Sequence, residues 1–296
     1  MNDLFERYPW LKITTTVEEY VDASYYNKIL KDYIFNNKSD LEYFDNWLSN
    51  LETTGKKVLE LGCGSGRVTD VLLNKNINYS KLILLDLSNQ MLDFCKQKYK
   101  DKDIEYVKSD SIKYLDLAEE KFDIVYTLWS FSHSVHQIFH ELGLKEGKVY
   151  IKKVLSNFFR RKMSKNGQFF LIHFDSMSDE QKILMKQWHK VYKTFSNIEE
   201  QSPSLKVIEE VFNELQEDGI IQFQEQHYIG KEIVYKNINE ALEIFMNFHM
   251  ESYFNESNDV EKIINELKNY FQLFTNEDGT ISIKPGCFIF EVKINV

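Results

Sequence analysis

Residues 56–66 read KKVLELGCGSG, a short apolar run that ends in glycines at every second position. The run has the length of a buried strand, and a helical pattern begins at about Arg67. Glycine lets the backbone pass close beneath a ligand, and the start of a helix offers N–H groups without partners. The stretch therefore predicts a strand, a tight loop and a helix that together form a ligand-binding corner.

Four further apolar runs of strand length follow this corner, and most are separated by stretches long enough for a helix. They are residues 81–88, 104–110, 122–130 and 167–175. Strands that alternate with helices predict parallel pairing in a layered α/β fold, and their almost continuous apolar character predicts cover on both faces. Later runs at 220–229 and 287–294 predict two more strands.

The segments outside these strands are predicted to be helical. Ser39 and Glu42 have the spacing of a capping box at the start of an amphipathic helix. We expect an N-terminal helical cap segment over residues 1–55 and a main domain over 56–296, with helical insertions near 176–200 and 238–273. Together these helices are expected to form a lid over the site.

Composition and charge narrow the class of protein. The chain has 296 residues, of which 43% are hydrophobic, enough to bury a sizeable core. Its formal net charge of −10 repels phosphate backbones and so disfavours nucleic-acid partners. Its 3 cysteines are far apart and indicate no disulfide framework. No apolar run reaches the roughly 18 residues of a membrane span, and no signal peptide is evident, so a cytoplasmic location is expected.

The residues around the glycines indicate which kind of nucleotide the corner binds. Asp86 ends the next predicted strand, where a carboxylate can accept both hydroxyls of a ribose. A dinucleotide fingerprint needs a third glycine at position 67, which is Arg67, and the chain has no P-loop motif. The carboxylate of Glu60 would repel a pyrophosphate. It suits a ligand with a cationic amino-acid end, such as S-adenosylmethionine.

At this point the sequence resembles the class I S-adenosylmethionine-dependent methyltransferases. ELGCGSG corresponds to the first motif of that family, and LLDLS to its second-strand acid. KSDS corresponds to the acid that reaches the adenine, and FDIVYTLWSFSH to the fourth-strand motif beside the methyl group. The resemblance covers about residues 55–175 through motifs. It implies a three-layer, Rossmann-like sheet of seven strands with the last strand antiparallel.

The resemblance also implies a set of cofactor-binding residues. They are Glu60, Gly62, Gly64 and Gly66 at the methionine end, Asp86 at the ribose, Leu87 and Met91 around the adenine, Asp110 and Ser111 at the edge of the base, and Leu128 and Trp129 beside the sulfonium. An aromatic face close to that cation contributes on the order of 1–2 kcal/mol.

Two histidines are candidates for catalysis. His133 and His136 follow the fourth strand directly and share a face if the segment is helical. Either can orient or deprotonate an acceptor, or simply pack against the cap. His173 and Asp175 end the fifth strand on the same rim, where they either contact substrate or support the sheet. No tight ligand motif joins these four residues, and we expect no metal.

A tyrosine of the N-terminal segment is the third catalytic candidate. Tyr26 lies in the segment that closes over the cofactor in the resembling family, where its aromatic ring would contact the acceptor. Many relatives have a Tyr-Asp pair at this place, whereas this chain has Asn27 after Tyr26. A tyrosine stripe at helical spacing is also compatible with plain core packing.

Motifs that the chain lacks exclude some classes of methyl acceptor. LWSF is not the [ND]PP[YF] motif of enzymes that methylate exocyclic amines of DNA, and the chain has no Pro-Cys pair for cytosine C5. We therefore expect an S-adenosylmethionine-dependent enzyme that methylates a small molecule at nitrogen or oxygen and releases S-adenosylhomocysteine. The alternatives are a protein or peptide methyltransferase and a non-catalytic scaffold that binds the same cofactor.

Overall fold

The computed structural model describes residues 2–11, 29–75, 77–191, 200–249, 254 and 258–296. Its strands are β1 (Ile34–Phe35), β2 (Lys38–Ser39), β3 (Lys57–Leu61), β4 (Lys81–Asp86), β5 (Glu105–Lys108), β6 (Phe122–Leu128), β7 (Met163–Phe174), β8 (Ile221–Ile229), β9 (Ile233–Tyr235), β10 (Ile281–Ile283) and β11 (Gly286–Ile294).

The helices separate and flank these strands. They are α1 (Asn2–Arg7), α2 (Asp40–Ser49), α3 (Arg67–Asn74), α4 (Asn89–Lys98), α5 (Ser111–Leu117), α6 (Phe131–Asn157), α7 (Asp179–Val191), α8 (Pro203–Glu217), α9 (Ile238–Ile244) and α10 (Val260–Phe271). The long helix α6 is broken at Gly143, where φ is 78°. Within the residues described, no helix is both long and apolar enough to cross a membrane.

Seven strands form the central sheet in the order β5-β4-β3-β6-β7-β11-β8. The pairs β3–β4, β4–β5, β3–β6 and β6–β7 are parallel, whereas β11 is antiparallel to both β7 and β8. The predicted α/β sheet with an antiparallel last strand is confirmed. The chain runs outward from β3 in one direction and returns to β6 on the other side, so the glycine loop after β3 lies at the switch point where ligands bind in such sheets.

Both faces of the sheet are buried, as the continuous apolar runs predicted. Alternate residues of a strand point to opposite faces, and β3 shows this directly. Val58 packs in one core cluster with α2, α3 and α4, whereas Leu59 packs in a second cluster with α5, α6 and α8.

The first core cluster extends beyond the sheet into the added segments. Leu4 and Tyr8 of the N-terminal residues share it with Ile263 and Leu267 of α10. The side chain of Asn247 donates a 2.9 Å hydrogen bond to the carbonyl of Trp10. Residues 2–11 therefore pack against the insertion predicted near 238–273.

The N-terminal segment differs from its helical prediction in one place. Strands β1 and β2 form a short antiparallel hairpin within it, and β9 pairs with β10 in another small sheet. Strands of two or three residues are too short to show a hydrophobic period. The capping box before α2 is confirmed, because the N–H of Glu42 donates to Ser39 Oγ (3.2 Å) and the N–H of Ser39 donates to Glu42 Oε2 (2.7 Å).

Candidate functional site

The glycine loop folds tightly over the end of β4. Gly62, Gly64 and Gly66 have φ of 73°, 50° and 75°, a region that favours glycine. The N–H groups of Gly62 and Cys63 both donate to the carbonyl of Leu85, at 2.8 and 2.9 Å. A Cβ on Gly62 would lie 2.1 Å from Ser130 Oγ, whereas a Cβ on Gly64 would meet nothing within 4 Å. The loop is thus packed at Gly62 against the segment that follows β6, and it is open at Gly64.

Asp86 is fixed to this loop by backbone donors. Its Oδ2 accepts from the N–H of Gly64 (2.8 Å) and its Oδ1 accepts from the N–H of Ser88 (2.9 Å). Burial raises the pKa of the carboxyl. The next side chain, Leu87, is 45% exposed, while Met91 is buried. An acid beside an open glycine and an exposed apolar surface fits a ligand with a ribose and a flat base.

Asp110 and Ser111 lie at the start of α5. Asp110 caps the helix, because its Oδ1 accepts from the N–H of Lys113 at 3.0 Å. Ser111 is buried, and its N–H donates to Ser134 Oγ at 3.3 Å. The structure therefore gives both residues a local structural role at the place where the base-binding role was predicted.

Glu60 lies beneath the glycine loop and not on its open side. It is buried, and its Oε2 accepts hydrogen bonds from Thr69 Oγ1 (2.6 Å) and from the hydroxyl of Tyr126 (2.9 Å). Burial raises the pKa of the carboxyl to about 8, although the two hydrogen bonds oppose this effect. Without a cation nearby, Glu60 is therefore mostly protonated at neutral pH.

Trp129 directly follows β6 and has a strained conformation. Its φ of 69° is left-handed, which costs a residue with a Cβ about 1–2 kcal/mol. Its N–H donates to the carbonyl of Ile172 (2.9 Å), and its indole Nε1 donates to Asp40 Oδ2 (2.7 Å). Strain of this kind persists where the surroundings fix it and is frequent at functional sites. Leu128, the residue before, is buried at the same strand end.

The two candidate histidines occupy the first turns of α6, which confirms that their segment is helical. His133 is exposed to solvent, yet the surrounding protein desolvates its ring enough to lower its pKa. His136 is half-buried, 6.2 Å from the ring of Phe174, and burial lowers its pKa well below the ordinary value. Tyr26 lies outside the described residues.

His173 and Asp175 support the sheet. His173 is buried, with Nδ1 donating to the carbonyl of Phe174 (2.7 Å) and Nε2 accepting from Ser204 Oγ (2.9 Å). Asp175 accepts from Gln201 Nε2 at 2.7 Å and lies 2.8 Å from His227 Nε2. Both side chains are committed to protein partners, which removes two of the four residues considered as metal ligands.

One residue of the site has no sequence motif. Asp40, at the first position of α2, is completely buried and binds both Trp129 and Arg67. Its sequence surroundings indicate only a helix start, because an acid after a serine N-cap is ordinary there. Only the three-dimensional structure places it beside the end of β6.

Comparison with known proteins agrees with this architecture. Residues 58–145 match the family model described as a methyltransferase domain. A search of curated protein sequences gives no match. Among solved structures, the chain is similar to the YcgJ protein from Bacillus subtilis, with 15% identity over 86% of this chain and 98% of that chain and a TM-score of 0.50.

Two further solved structures are similar at the same low identity. A putative methyltransferase from Bacillus halodurans C-125 has 15% identity over 86% of this chain and 98% of that chain, with a TM-score of 0.48. Phosphoethanolamine N-methyltransferase 2 from Haemonchus contortus, in complex with phosphomonomethylethanolamine and S-adenosylhomocysteine, has 15% identity over 92% of this chain and 56% of that chain, with a TM-score of 0.49. Residues 58–145 are therefore similar to a methyltransferase domain, and the solved structures support the same fold for the chain.

Proposed function

We propose that this enzyme transfers the methyl group to a small-molecule acceptor, at nitrogen or oxygen, in the cytoplasm. The observation that carries the proposal is that α7 lies over the carboxyl end of the sheet. Met185 and Trp188 of α7 pack with Phe174, the last residue of β7, and with Trp129, which follows β6. A helix in this position restricts the entrance to the edge where the cofactor binds.

Hydrogen bonds connect α7 to the N-terminal segment and to α10. The hydroxyl of Tyr33, in the N-terminal segment, donates to Glu180 of α7, and both residues are buried. The hydroxyl of Tyr270 in α10 donates to the carbonyl of Asp179 at 2.6 Å. These contacts hold the start of α7 against two other segments and support a roofed compartment, which favours a small acceptor over a polypeptide.

In this proposal the cofactor crosses the carboxyl ends of β3 and β4. Its contacts are the loop of Gly62, Gly64 and Gly66 above Glu60, then Asp86 at the ribose, Leu87 and Met91 around the adenine, Asp110 and Ser111 at the edge of the base, and Leu128 and Trp129 on the methyl side. The exposed Leu87 beside the buried Asp86 is the strongest local support for this direction.

S-adenosylmethionine supplies a methyl group on a positively charged sulfur. The residues of this chain hold the acceptor in line with that group, and good orientation contributes roughly 7–11 kcal/mol. His133 accepts the acceptor's proton, because its lowered pKa keeps the ring unprotonated at neutral pH. A hydroxyl or protonated amine benefits from this base, whereas a neutral amine needs none. His136 and Tyr26 are proposed to contact the acceptor.

Two alternatives make different predictions. A protein or peptide methyltransferase needs an open groove at the edge that α7 occupies. A non-catalytic scaffold binds S-adenosylmethionine and S-adenosylhomocysteine without turnover.

The test is transfer of labelled methyl from S-adenosylmethionine into a host extract that is then separated by size. We expect the label in the low-molecular-weight pool, where its mass identifies the acceptor class. Label in protein would support the polypeptide alternative and contradict the proposal. Measured cofactor binding with no label in any fraction would favour the scaffold. Asp86→Ala is the negative control for transfer that depends on the cofactor.

A further inference from the structure

We propose that Asp40 is a positioning residue for methyl transfer, which holds the indole of Trp129 in the wall of the site and ties it to the helix that follows the glycine loop. The inference rests on the proposed function, since Trp129 matters for transfer only if the methyl group is delivered beside it. Asp40 does not contact the cofactor corner itself. It acts through Trp129 and Arg67.

The carboxylate of Asp40 is completely buried, and all its acceptor positions have hydrogen-bond donors. Its Oδ2 accepts from Trp129 Nε1 at 2.7 Å and from Arg67 Nη2, and its Oδ1 accepts from Arg67 Nη1 at 3.0 Å. The N–H of Leu41 donates to Oδ1 at 2.8 Å. A carboxylate has about four acceptor positions, and here each has a donor.

The charge of this carboxylate is matched by Arg67. A buried carboxylate without a cation is strongly destabilising, and a two-pronged guanidinium pair is the geometry that best compensates it. Arg67 is the first residue of α3 and follows Gly66 directly. The pair therefore fastens the N-terminal segment to the glycine loop, across 27 positions of sequence.

The hydrogen bond from the indole fixes the orientation of the Trp129 side chain. The left-handed φ of 69° leaves this residue strained, and a strained side chain keeps one orientation only if its surroundings determine it. Asp40 supplies the polar contact, while the rings of Tyr33 (5.7 Å) and Phe35 (6.0 Å) supply the apolar ones. Loss of the hydrogen bond to Asp40 allows the indole to rotate, although its ring still occupies the same space.

The expected consequence is a loss of rate more than a loss of cofactor affinity. Trp129 is proposed to face the methyl group, whereas the loop and Asp86 bind the rest of the cofactor. Misplacing a group in the reacting region by about 1 Å costs about 100-fold in rate. A rotated indole is a smaller change, so we expect Asp40→Asn to slow transfer by about 10-fold or more.

The first measurement uses the indole N–H signals of the chain's 4 tryptophans in ¹⁵N-labelled protein. Trp129→Phe identifies the Trp129 signal by its disappearance. In Asp40→Asn this signal should move upfield and exchange faster with solvent, because an amide oxygen is a weaker acceptor than a carboxylate. S-adenosylhomocysteine should shift the same signal in the wild type. An unmoved Trp129 signal in Asp40→Asn would overturn the inference.

The second measurement is the rate of labelled-methyl transfer into the small-molecule pool of the host extract, with S-adenosylmethionine saturating. Asp40→Asn and Trp129→Phe should each lower the rate, and the double variant should be no slower than the slower single one, because both remove one interaction. Asp45→Asn is the matched control, since Asp45 is on the same helix but 46% exposed and paired with Lys75. Its rate should equal that of the wild type.

The outcomes separate this inference from the proposed function. A wild type that fails to bind S-adenosylhomocysteine or to label a small molecule would overturn the proposed function, while the indole signals still report the Asp40 contact. A wild type that labels a small molecule, with Asp40→Asn equally fast per folded molecule, would overturn the inference alone. A purely structural role predicts that second result together with a lower melting temperature. If Asp40→Asn does not fold, Trp129→Phe still removes the same hydrogen bond.

Discussion

The backbone N–H of Gly64 donates a 2.8 Å hydrogen bond to Oδ2 of Asp86. The central glycine of the loop is thereby fastened to the acid at the end of the neighbouring strand. The two residues, which the sequence predicts at the methionine end and at the ribose of the cofactor, thus form one rigid corner. Because the Gly64 side of this corner is open, a ligand can reach both groups together.

Asp86→Ala should abolish cofactor binding and leave the fold intact. The substitution removes the acceptor of two backbone N–H groups and the proposed partner of the ribose hydroxyls, and hydrogen bonds to a charged group contribute about 1.5–3 kcal/mol each. We expect the affinity for S-adenosylhomocysteine in calorimetry to fall by about 100-fold or more. Asp93→Ala, an exposed acid on α4, is the control. An unchanged affinity in Asp86→Ala would remove this residue from the pocket.

Gly62→Ala should mainly lower stability, whereas Gly64→Ala should mainly lower the affinity for the ligand. Both residues have a left-handed φ, which costs alanine about 1–2 kcal/mol. Gly62→Ala adds a collision with Ser130, whereas Gly64→Ala points its methyl into open space. Gly62→Ala should therefore lower the melting temperature by more than Gly64→Ala does. Gly64→Ala should lose S-adenosylhomocysteine affinity, and wild-type affinity in that variant would place the ligand elsewhere.

Glu60→Gln should change how stability depends on pH. In the folded protein the pKa of Glu60 is about 8, above its ordinary value of 4.5. The folded state therefore binds more protons than the unfolded state between these values, and this carboxyl's contribution to stability falls as pH rises through them. Glutamine does not titrate, so the variant should melt higher than the wild type at pH 8, by about 2–4 °C for each kcal/mol recovered.

The melting temperatures of the ligand-free wild type and Glu60→Gln are compared at several pH values. The difference in melting temperature between Glu60→Gln and the wild type should shrink toward pH 5, where the wild-type carboxyl is protonated in the fold. A difference that does not vary with pH would show that Glu60 is ionised throughout. Glu60→Gln should also bind S-adenosylmethionine more weakly, because the ligand's ammonium group favours the ionised form of Glu60, which glutamine cannot adopt.

His133→Ala should slow methyl transfer more than it weakens cofactor binding. The lowered pKa of His133 keeps the ring unprotonated until the pH falls below its ordinary value of 6.5. The rate of labelled-methyl transfer should therefore decline only below about pH 6.5, and His133→Ala should lack that decline. His140→Ala, an exposed histidine on the same helix, is the control. Wild-type rates and pH profile in His133→Ala would exclude His133 from the mechanism.

The sequence predicts the parts of this protein that rest on local patterns. The sheet follows from apolar runs such as 122–130, whose alternate residues serve two cores, and the loop follows from glycines at every second position. The short strands β1 and β9 are missed because two or three residues carry no period. Asp40 is missed because its contact with Trp129 spans 89 positions and depends on how α2 packs on the sheet.

The roles of individual polar residues are the hardest to predict from the pattern. Asp110 fits a base-binding motif, yet one of its oxygens caps α5. Glu60 has the position of a charged loop residue, but its burial favours the protonated form. The sequence shows which residue is present, whereas its protonation and its partners depend on the packing around it.

A crystal structure with S-adenosylhomocysteine bound would locate the cofactor and the acceptor space in one experiment. We expect the ribose hydroxyls on the carboxylate of Asp86, the adenine against Leu87, and the sulfur beside Trp129, with a closed space leading from it to His133. Ligand density at another edge of the sheet would contradict the assignment of the pocket. A sulfur that faces an open groove would contradict the small-molecule acceptor.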